Sequence, residues 1–202
     1  MNVPVRGFRK PRPQLTCPVC GKTFEPKHVT EKRVTCSREC RGRYIRSKMT
    51  VEQLLRWKTP RIPKLEEWQR GYIAGIIEGD GSISIAYDKG GEGATPHYRP
   101  SVYVVNTDPR ILQHIGDILR IPKRLRLPQP RHLGNKPLST YTIQSLVDVK
   151  FLVEQILPYL SGKKDRAELM LKFVTYKLAK KSSIGITPEE TGMYVRMKEL
   201  NA

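Results

Sequence analysis

The chain has 202 residues, enough for one domain with a small attachment, and a formal net charge of +18 at pH 7. With 37 Lys and Arg against 19 Asp and Glu, it is too basic for a neutral cytosolic enzyme, so we expect a polyanionic partner, nucleic acid first. No apolar run approaches the roughly 20 residues of a membrane span and no apolar signal region opens the chain, which predicts an intracellular protein of unassigned compartment with no membrane partner.

The charge and the cysteines are concentrated in the first third of the chain. Residues 1–64 contain 17 Lys and Arg against 4 Asp and Glu, whereas residues 65–202 contain 20 against 15. Pro60 and Pro63 prevent a helix from running through the boundary. We therefore predict a basic module at 1–50, a linker at 51–64 and a core domain at 65–202.

The four cysteines form two close pairs, and a short loop separates the pairs. Cys17 and Cys20 are spaced x2, and Cys36 and Cys40 are spaced x3 at a predicted helix start. Two such pairs can bring four thiolates to one tetrahedral Zn²⁺, whose role would be structural because four protein ligands leave no open position. Disulfides are disfavoured in an intracellular chain, and a redox couple would not need the second pair. The pattern resembles the treble-clef or ribbon-like zinc modules attached to many DNA-acting proteins.

A basic helix is predicted after the second cysteine pair. Tyr44 lies among its cations, so the helix could track phosphates and stack on a sugar or base. A solvated charged face is the alternative, and the local excess of positive charge favours DNA contact. The predicted DNA-binding arginines of this helix are Arg38, Arg41, Arg43 and Arg46.

A helix with an unusual end is predicted from residue 66. Trp68, Tyr72, Ile73, Ile76 and Ile77 recur at helical spacing and are expected to form its apolar side. A second face carries small residues and predicts a close helix–helix contact. It consists of Gly71, Ala74, Gly75 and Glu78.

The same helix ends in two acidic residues, where the helix dipole is already negative. Glu78 and Asp80 could hold a divalent cation there, or they could be solvated acids at a glycine-rich helix end. The residues alone leave both interpretations open.

Residues 73–81 read IAGIIEGDG and resemble the LAGLIDADG motif of homing endonucleases, with conservative exchanges only. The resemblance implies that the motif helix packs against its symmetry mate. It also implies that Asp80, at the eighth motif position, binds a catalytic Mg²⁺ or Mn²⁺, with the Gly79 backbone or Glu78 nearby.

The resemblance implies the αββαββα half-saddle of that family, an α+β fold, and the rest of the chain shows strand and helix patterns in this order. Ile83 and Ile85 alternate with Ser82 and Ser84, as in a half-buried strand. Further strands are predicted at 98–106, 123–127 and 138–145. A helix is predicted from Pro109, which suits a first helical position, and others at 148–157, 163–181 and 188–200.

The resemblance implies further active-site residues. A polar side chain just after the second strand orders water near the metal, and Asn106 matches it, with Arg110 one helical turn on. A lysine follows the Pro-Tyr-Leu element at 158–160 and stabilises charge at the phosphate. Lys163 matches that position, with Lys164 as an adjacent competitor.

The sheet face opposite the core is expected to lie on DNA and to read base edges or hold phosphates. The strand residues predicted to face the major groove are Ser82, Ser84, Arg99, Tyr103, Arg124 and Arg126.

A double-strand break needs two active sites, and the chain carries one motif. The resemblance therefore implies a homodimer through the face of Gly71, Ala74, Gly75 and Glu78, and a long, near-palindromic double-stranded DNA target. Some proteins of this family act instead as intron RNA maturases or transcription regulators, so RNA is the alternative partner. A zinc-ribbon DNA-binding regulator with a degenerate second domain is the third interpretation.

Overall fold

The computed structural model describes residues 13–26, 33–50, 58–90, 95–121, 125–126, 137–180 and 185–202. The chain divides into two compact units, Met1–Trp57 and Lys58–Ala202. This boundary lies within the predicted linker, 51–64, of which residues 51–57 are outside the described ranges. Among the described helices, none has the length and apolar character that crossing a bilayer requires.

The described part of the first unit contains a short hairpin and one helix. Strands β1 (Leu15–Thr16) and β2 (Thr23–Phe24) pair antiparallel. Gly21 adopts a φ of +71° in the turn between them, where the Gly21 N–H donates to the Cys17 carbonyl at 2.9 Å. Helix α1 (Arg38–Lys48) starts at Ser37, whose side chain accepts from the Cys40 N–H. A tight turn and a helix cap therefore fix the backbone at Cys17 and Cys40.

The second unit has the predicted αββαββα order followed by two further segments of helix. Its strands are β3 (Gly81–Asp88), β4 (His97–Asn106), β5 (Leu125–Arg126) and β6 (Ser139–Ile143). Its helices are α2 (Glu67–Asp80), α3 (Pro109–Ile118), α4 (Leu146–Ile156), α5 (Lys164–Ala179) and α6 (Pro188–Leu200), with a 3₁₀ turn at Leu157–Tyr159. Observed and predicted ends differ by at most two residues where both are described, except that most of the predicted strand 123–127 lies outside the described residues.

The four strands form an antiparallel sheet in the order β3-β4-β6-β5. Ile83 pairs with Val102, and Val102 with Ile143, so their side chains share one face, and all three are buried in the core. Helices α2, α3, α4 and α5 pack on this face and contribute many of the other core residues. The alternation predicted for β3 is confirmed, because Ser82 and Ser84 lie on the opposite face.

Helix α6 packs along β3, the edge strand of the sheet. Tyr194 stacks on Tyr98 with ring centroids 4.7 Å apart, and the Asn201 side-chain amide donates to the Ile83 carbonyl at 3.2 Å. Covering an edge strand in this way protects its free backbone groups from pairing with another chain.

The second half of the predicted linker belongs to the core. Ile62 and Leu65 are each 2% exposed. The Arg61 backbone N–H donates to Oδ1 of the buried Asp148 at 2.8 Å, and its guanidinium pairs with Oδ2 of the same carboxylate. Residues 61–65 therefore pack into the core domain and are not a free linker. The prolines at 60 and 63 could not predict this, because they only exclude a continuous helix.

Candidate active site and metal centres

The proposed metal-binding residue, Asp80, lies exposed at the last position of α2. The chain passes directly from this helix into β3 at Gly81. A Cβ on Gly81 would lie 2.7 Å from the Ile77 Cα, closer than real side chains approach, so only glycine fits this transition. The motif thus places Asp80 at the junction between the helix and the polar sheet face.

Asn106, the predicted water-ordering residue, contacts Asp80. Its Nδ2 donates to Asp80 Oδ2 at 2.9 Å, while its Oδ1 accepts from the Asp108 backbone N–H at 2.8 Å. These two hydrogen bonds fix the orientation of the Asn106 amide and hold one oxygen of the carboxylate. The structure therefore brings together the two residues that the sequence separates by 26 positions.

Arg110 has a different environment from the one expected. Its guanidinium forms an ion pair with Asp108, with 2.6 Å between Nη2 and Oδ2, and its side chain is 87% exposed. The side-chain hydrogen bond from Arg110 lowers the pKa of the Asp108 carboxyl to about 2, and the same contact raises the pKa of Arg110. Asp108 also begins α3 by accepting from the Arg110 N–H at 2.9 Å. Arg110 thus supports the start of α3, and no contact joins its guanidinium to Asp80 among those the structure describes.

Lys163 lies at the end of α2, as the lysine expected near Asp80. Its Nζ donates to the carbonyls of Ile77 and Glu78 at 2.7 Å and of Gly81 at 2.8 Å. Burial lowers the pKa of this ammonium, and the nearby Glu78 carboxylate partly offsets the change. The negative end of the helix dipole is therefore compensated by a lysine, whereas the sequence pattern suggested a divalent cation for this purpose. Lys164, its competitor, is exposed.

Glu78 is engaged by backbone groups of the α5 start. Its Oε1 accepts from the N–H groups of Ser161 and Lys163, both at 3.0 Å, and its Oε2 accepts from Gly162 at 3.2 Å. A carboxylate with three backbone donors is poorly placed to serve a metal beside Asp80 or a second helix. The described contacts of Glu78 thus lie within the chain, and its place near the metal and at the dimer interface stays a prediction.

The polar face of the sheet gathers the predicted DNA-binding residues of the core. Ser82 pairs with Tyr103 and Tyr103 with Thr142, while Arg126 pairs with Thr140, and cross-strand partners share a face. Thr140 and Thr142 lie on the same face but were not among the predicted residues. Their alternation with Tyr141 in the predicted strand was the available signal. Arg124 lies outside the described residues.

Arg99 is held on that face by neighbouring side chains. Its Nη1 donates to the Gln144 Oε1 at 2.9 Å, and its Nε lies 3.6 Å from the Asp88 carboxylate. Ser84, the remaining predicted residue, donates from its hydroxyl to the Ser101 carbonyl at 3.4 Å. Arg99 is thus a pre-oriented cation rather than a freely solvated one.

The small-residue face of α2 is only partly available to a second helix. Gly75 is exposed, and a Cβ added at Gly71 or Gly75 would meet nothing within 4 Å. Ala74, in contrast, is 0% exposed and belongs to the core, which corrects its assignment to the interface. Trp68, expected on the apolar side, is 56% exposed and follows the same face as Gly71 and Gly75 at helical spacing.

The four cysteines converge in the first unit. Their Sγ atoms all lie within 4.8 Å of one another, with 3.4 Å between Cys20 and Cys36 and 3.6 Å between Cys36 and Cys40. Zn–S bonds of about 2.3 Å in a tetrahedron place sulfurs about 3.8 Å apart, so the cluster fits Zn²⁺. It is the one group of three or more metal-ligating side chains found in the described part of the chain.

The protonation of these thiols is uneven. Burial acts to raise the pKa of Cys17, but backbone N–H donors, including that of Cys36, outweigh it and lower the pKa to about 6. The thiol hydrogen bond with Cys20 raises the pKa of Cys36 to about 12. Ionisation is therefore favoured at Cys17 over Cys36.

Helix α1 presents basic side chains beside this cluster. Arg38, Arg41, Arg43 and Arg46 are exposed, and Lys48 Nζ lies 5.8 Å from the centroid of the Tyr44 ring. This arrangement matches the basic helix with an aromatic side chain that the sequence predicts.

No protein-family profile and no curated protein sequence matches this chain. Solved structures do match it. The homing endonuclease I-CvuI, in complex with its target in the presence of calcium, has a TM-score of 0.51 and 20% identity, covering 66% of this chain and 82% of that chain. The I-SmaMI LAGLIDADG homing endonuclease bound to cleaved DNA has a TM-score of 0.50 and 14% identity, covering 82% of this chain and 52% of that chain. The chain therefore has the fold of LAGLIDADG homing endonucleases.

Proposed function

We propose that this protein is a site-specific DNA endonuclease that makes a metal-dependent double-strand break as a homodimer. The observation that carries the proposal is the exposed Asp80 carboxylate at the end of α2, oriented by the Asn106 amide at 2.9 Å. This pair lies where the motif helix meets the polar face of the sheet. A phosphodiester lying on that face would pass beside Asp80.

The charge and the polar face support double-stranded DNA as the substrate. Arg99, pre-oriented by Gln144, and the exposed Arg126 offer cations for phosphates or guanine edges, and Tyr103 adds a hydroxyl. The two solved structures of similar fold described above are homing endonucleases, one with its target and one with cleaved DNA. A net charge of +18 supplies the non-specific attraction to the phosphate backbone.

The side chains at the end of α2 suit a hard divalent cation. Mg²⁺ and Mn²⁺ are commonly held by one or two carboxylates together with substrate phosphate oxygens and water, and Asp80 is the exposed carboxylate available here. When bound, such an ion lowers the pKa of water and stabilises charge on the phosphate oxygens. Asn106 contributes by holding Asp80 Oδ2, so that the carboxylate keeps one orientation.

A homodimer would supply the second active site that a double-strand break requires. The open space around Gly71 and Gly75 supports close approach of a second α2, and the exposed Trp68 would be covered by it. Two-fold symmetry then favours a near-palindromic target. The basic helix α1, held by structural Zn²⁺ at the four cysteines, would extend the phosphate contacts.

The proposal is tested by cleavage of a duplex library with randomised palindromic half-sites, in Mg²⁺ and in a chelator. Discrete double-strand cuts that require Mg²⁺ are expected, and sequencing their ends gives the half-site. Selective retention of duplex without cuts would instead favour a DNA-binding regulator. Selective binding of RNA without cuts would favour a maturase.

A further inference from the structure

The end of α2 and the start of α5 meet, and each would otherwise leave backbone groups without partners. The last carbonyls of a helix and its first N–H groups have no partner within the helix. The Glu78 side chain and the Lys163 side chain cross between these two ends, although they are 85 residues apart in the chain. Each side chain supplies what the other helix end lacks.

The Lys163 ammonium is fully used in this exchange. It has three N–H donors, and three backbone carbonyls accept from it at 2.7 to 2.8 Å. One of these acceptors is the Gly81 carbonyl, on the residue that follows Asp80. An ammonium with this set of partners has no donor left for a phosphate unless it breaks one of them.

The Glu78 carboxylate is used in the reciprocal direction. Its two oxygens accept from three successive N–H groups, those of Ser161, Gly162 and Lys163. A Cβ on Gly162 would lie 3.1 Å from Oε2, so the loop approaches the carboxylate closely. Charge-assisted hydrogen bonds of this kind are stronger than neutral ones.

From this geometry we infer that Glu78 and Lys163 form a reciprocal capping pair that fixes the position of Asp80, and that Lys163 is a positioning residue that acts through Asp80. The pair clamps the last turn of α2 from both sides of Asp80, at the carbonyls of Glu78 and Gly81. The inference rests on the proposed function, because it concerns how the Asp80 carboxylate is held for a divalent cation.

The test uses a charge-balanced variant, Glu78→Gln together with Lys163→Met. This variant removes one negative and one positive charge, so a change in metal binding reports position rather than local net charge. Lys164→Met is the matched control, because Lys164 is the exposed neighbour at the first position of α5. Asp80→Asn identifies which Mn²⁺ effects arise at the proposed site.

Two readouts do not depend on cleavage. Hydrogen exchange at the amides of residues 161–163 should accelerate about tenfold or more in the balanced variant and not in the control. Mn²⁺ alone is the second probe, read from paramagnetic broadening of the Asn106 side-chain amide. Half-maximal broadening should require about fivefold more Mn²⁺ in the balanced variant. Cleavage should show the same shift in its Mn²⁺ midpoint, with the rate at saturating Mn²⁺ within about threefold of the unmodified protein.

A balanced variant with an unchanged Mn²⁺ midpoint and a rate about a hundredfold lower would overturn the inference, since Lys163 would then act on the phosphate itself. Unchanged amide exchange would overturn it too.

If the unmodified protein cuts no DNA but the Mn²⁺ shift is present, the endonuclease proposal fails and the positioning pair stands. Mn²⁺ broadening that persists in Asp80→Asn would refute both. If the balanced variant does not fold, Glu78→Gln alone, which keeps a carbonyl acceptor, is judged by the same exchange and Mn²⁺ criteria.

Discussion

Asp80 and Glu78, the two acidic residues of the motif, have different surroundings. Glu78 accepts from three backbone N–H groups, whereas Asp80 is exposed and shares one oxygen with the Asn106 amide. Two carboxylates on one helix turn therefore have separate tasks, one structural and one available for a ligand. A mutation at Asp80 should consequently affect chemistry and spare the fold.

We expect Asp80→Asn to lower DNA cleavage by about a thousandfold or more, because the amide is a poor ligand for Mg²⁺. DNA affinity in Ca²⁺ should stay within about threefold, since Asp80 lies beside the proposed DNA face and supplies no cation to it. Single-turnover cleavage and equilibrium binding measure the two quantities. Asp117→Asn, at an exposed acid on α3, is the control. Cleavage retained by Asp80→Asn would refute the assignment of the active site.

The sequence could identify single site residues where a motif or an element end marks their position. Asp80 was identified from the motif, and Asn106 from the end of the second strand. The mutual capping by Glu78 and Lys163 could not be predicted, because it depends on how closely two helix ends meet in three dimensions. The pairing of Arg110 with Asp108 is local, and the Asp-Pro-Arg sequence at a helix start was an available signal for it.

At the scale of elements, α6 is fixed by a buried carboxylate. Glu190 is 0% exposed and lies 3.1 Å from Lys177 Nζ and 2.9 Å from Lys180 Nζ, both from α5 and its end. Burial acts to raise the pKa of Glu190, but the two ammonium groups outweigh it and lower the pKa below its ordinary value. A lowered pKa in the folded state means that the ionised carboxylate stabilises the fold above the unfolded-state pKa, and that this contribution is lost as the pH falls.

We expect Glu190→Gln to lower the free energy of unfolding at pH 7 by about 3 kcal/mol, because it leaves two partly buried lysines without their counter-charge. The difference between variant and unmodified protein should shrink as the pH falls through and below 4.5, the ordinary pKa of Glu. Urea denaturation at several pH values measures this. Glu199→Gln, which breaks an exposed pair with Arg196, should cost at most about 0.5 kcal/mol. Equal losses in the two variants would contradict the anchoring role.

Element order was predictable because the elements carry strong local signals. Alternation marks β3, the Asp-Pro pair marks the start of α3, and Thr187 with Glu190 forms a capping box at α6. Which helix face is buried was less predictable. Helical periodicity placed Trp68 on the apolar side with Ile73, and Ala74 on the small-residue face with Gly75. In the structure, Ile73 and Ala74 are buried in the core, whereas Trp68 and Gly75 are exposed. Packing against the rest of the domain decides which face is buried, and the sequence of one helix does not specify it.

At the scale of the whole molecule, the two compact units have different sources of stability. The second unit has a continuous apolar core, whereas the described residues of the first form a short hairpin, one helix and four clustered cysteines. A module of this size rarely folds on its hydrophobic core alone, and a structural metal commonly replaces it. The binding free energy of Zn²⁺ would then be the folding free energy of the first unit.

We expect one Zn²⁺ per chain, and we expect its removal by a chelator to unfold α1 while the thermal unfolding of residues 58–202 stays unchanged. Zinc released on mild thiol oxidation gives the stoichiometry, and amide chemical-shift dispersion reports the two units separately. Cys20→Ser should weaken Zn²⁺ binding, whereas Ser47→Ala, on the exposed part of α1, should not. An ordered α1 after complete metal removal would contradict a structural zinc site.

In the proposed homodimer, assembly would depend on how closely two α2 helices can approach. Gly75 is exposed with open space around its Cβ position, so Gly75→Leu should leave the monomer folded and yet keep two α2 helices from that approach. We expect a monomer in light scattering and about a hundredfold less double-strand cleavage, because two active sites no longer meet. Gly192→Leu is the matched control, an exposed glycine on α6 with equally open surroundings, and it should remain dimeric. A dimeric Gly75→Leu protein would show that the chains associate through another surface.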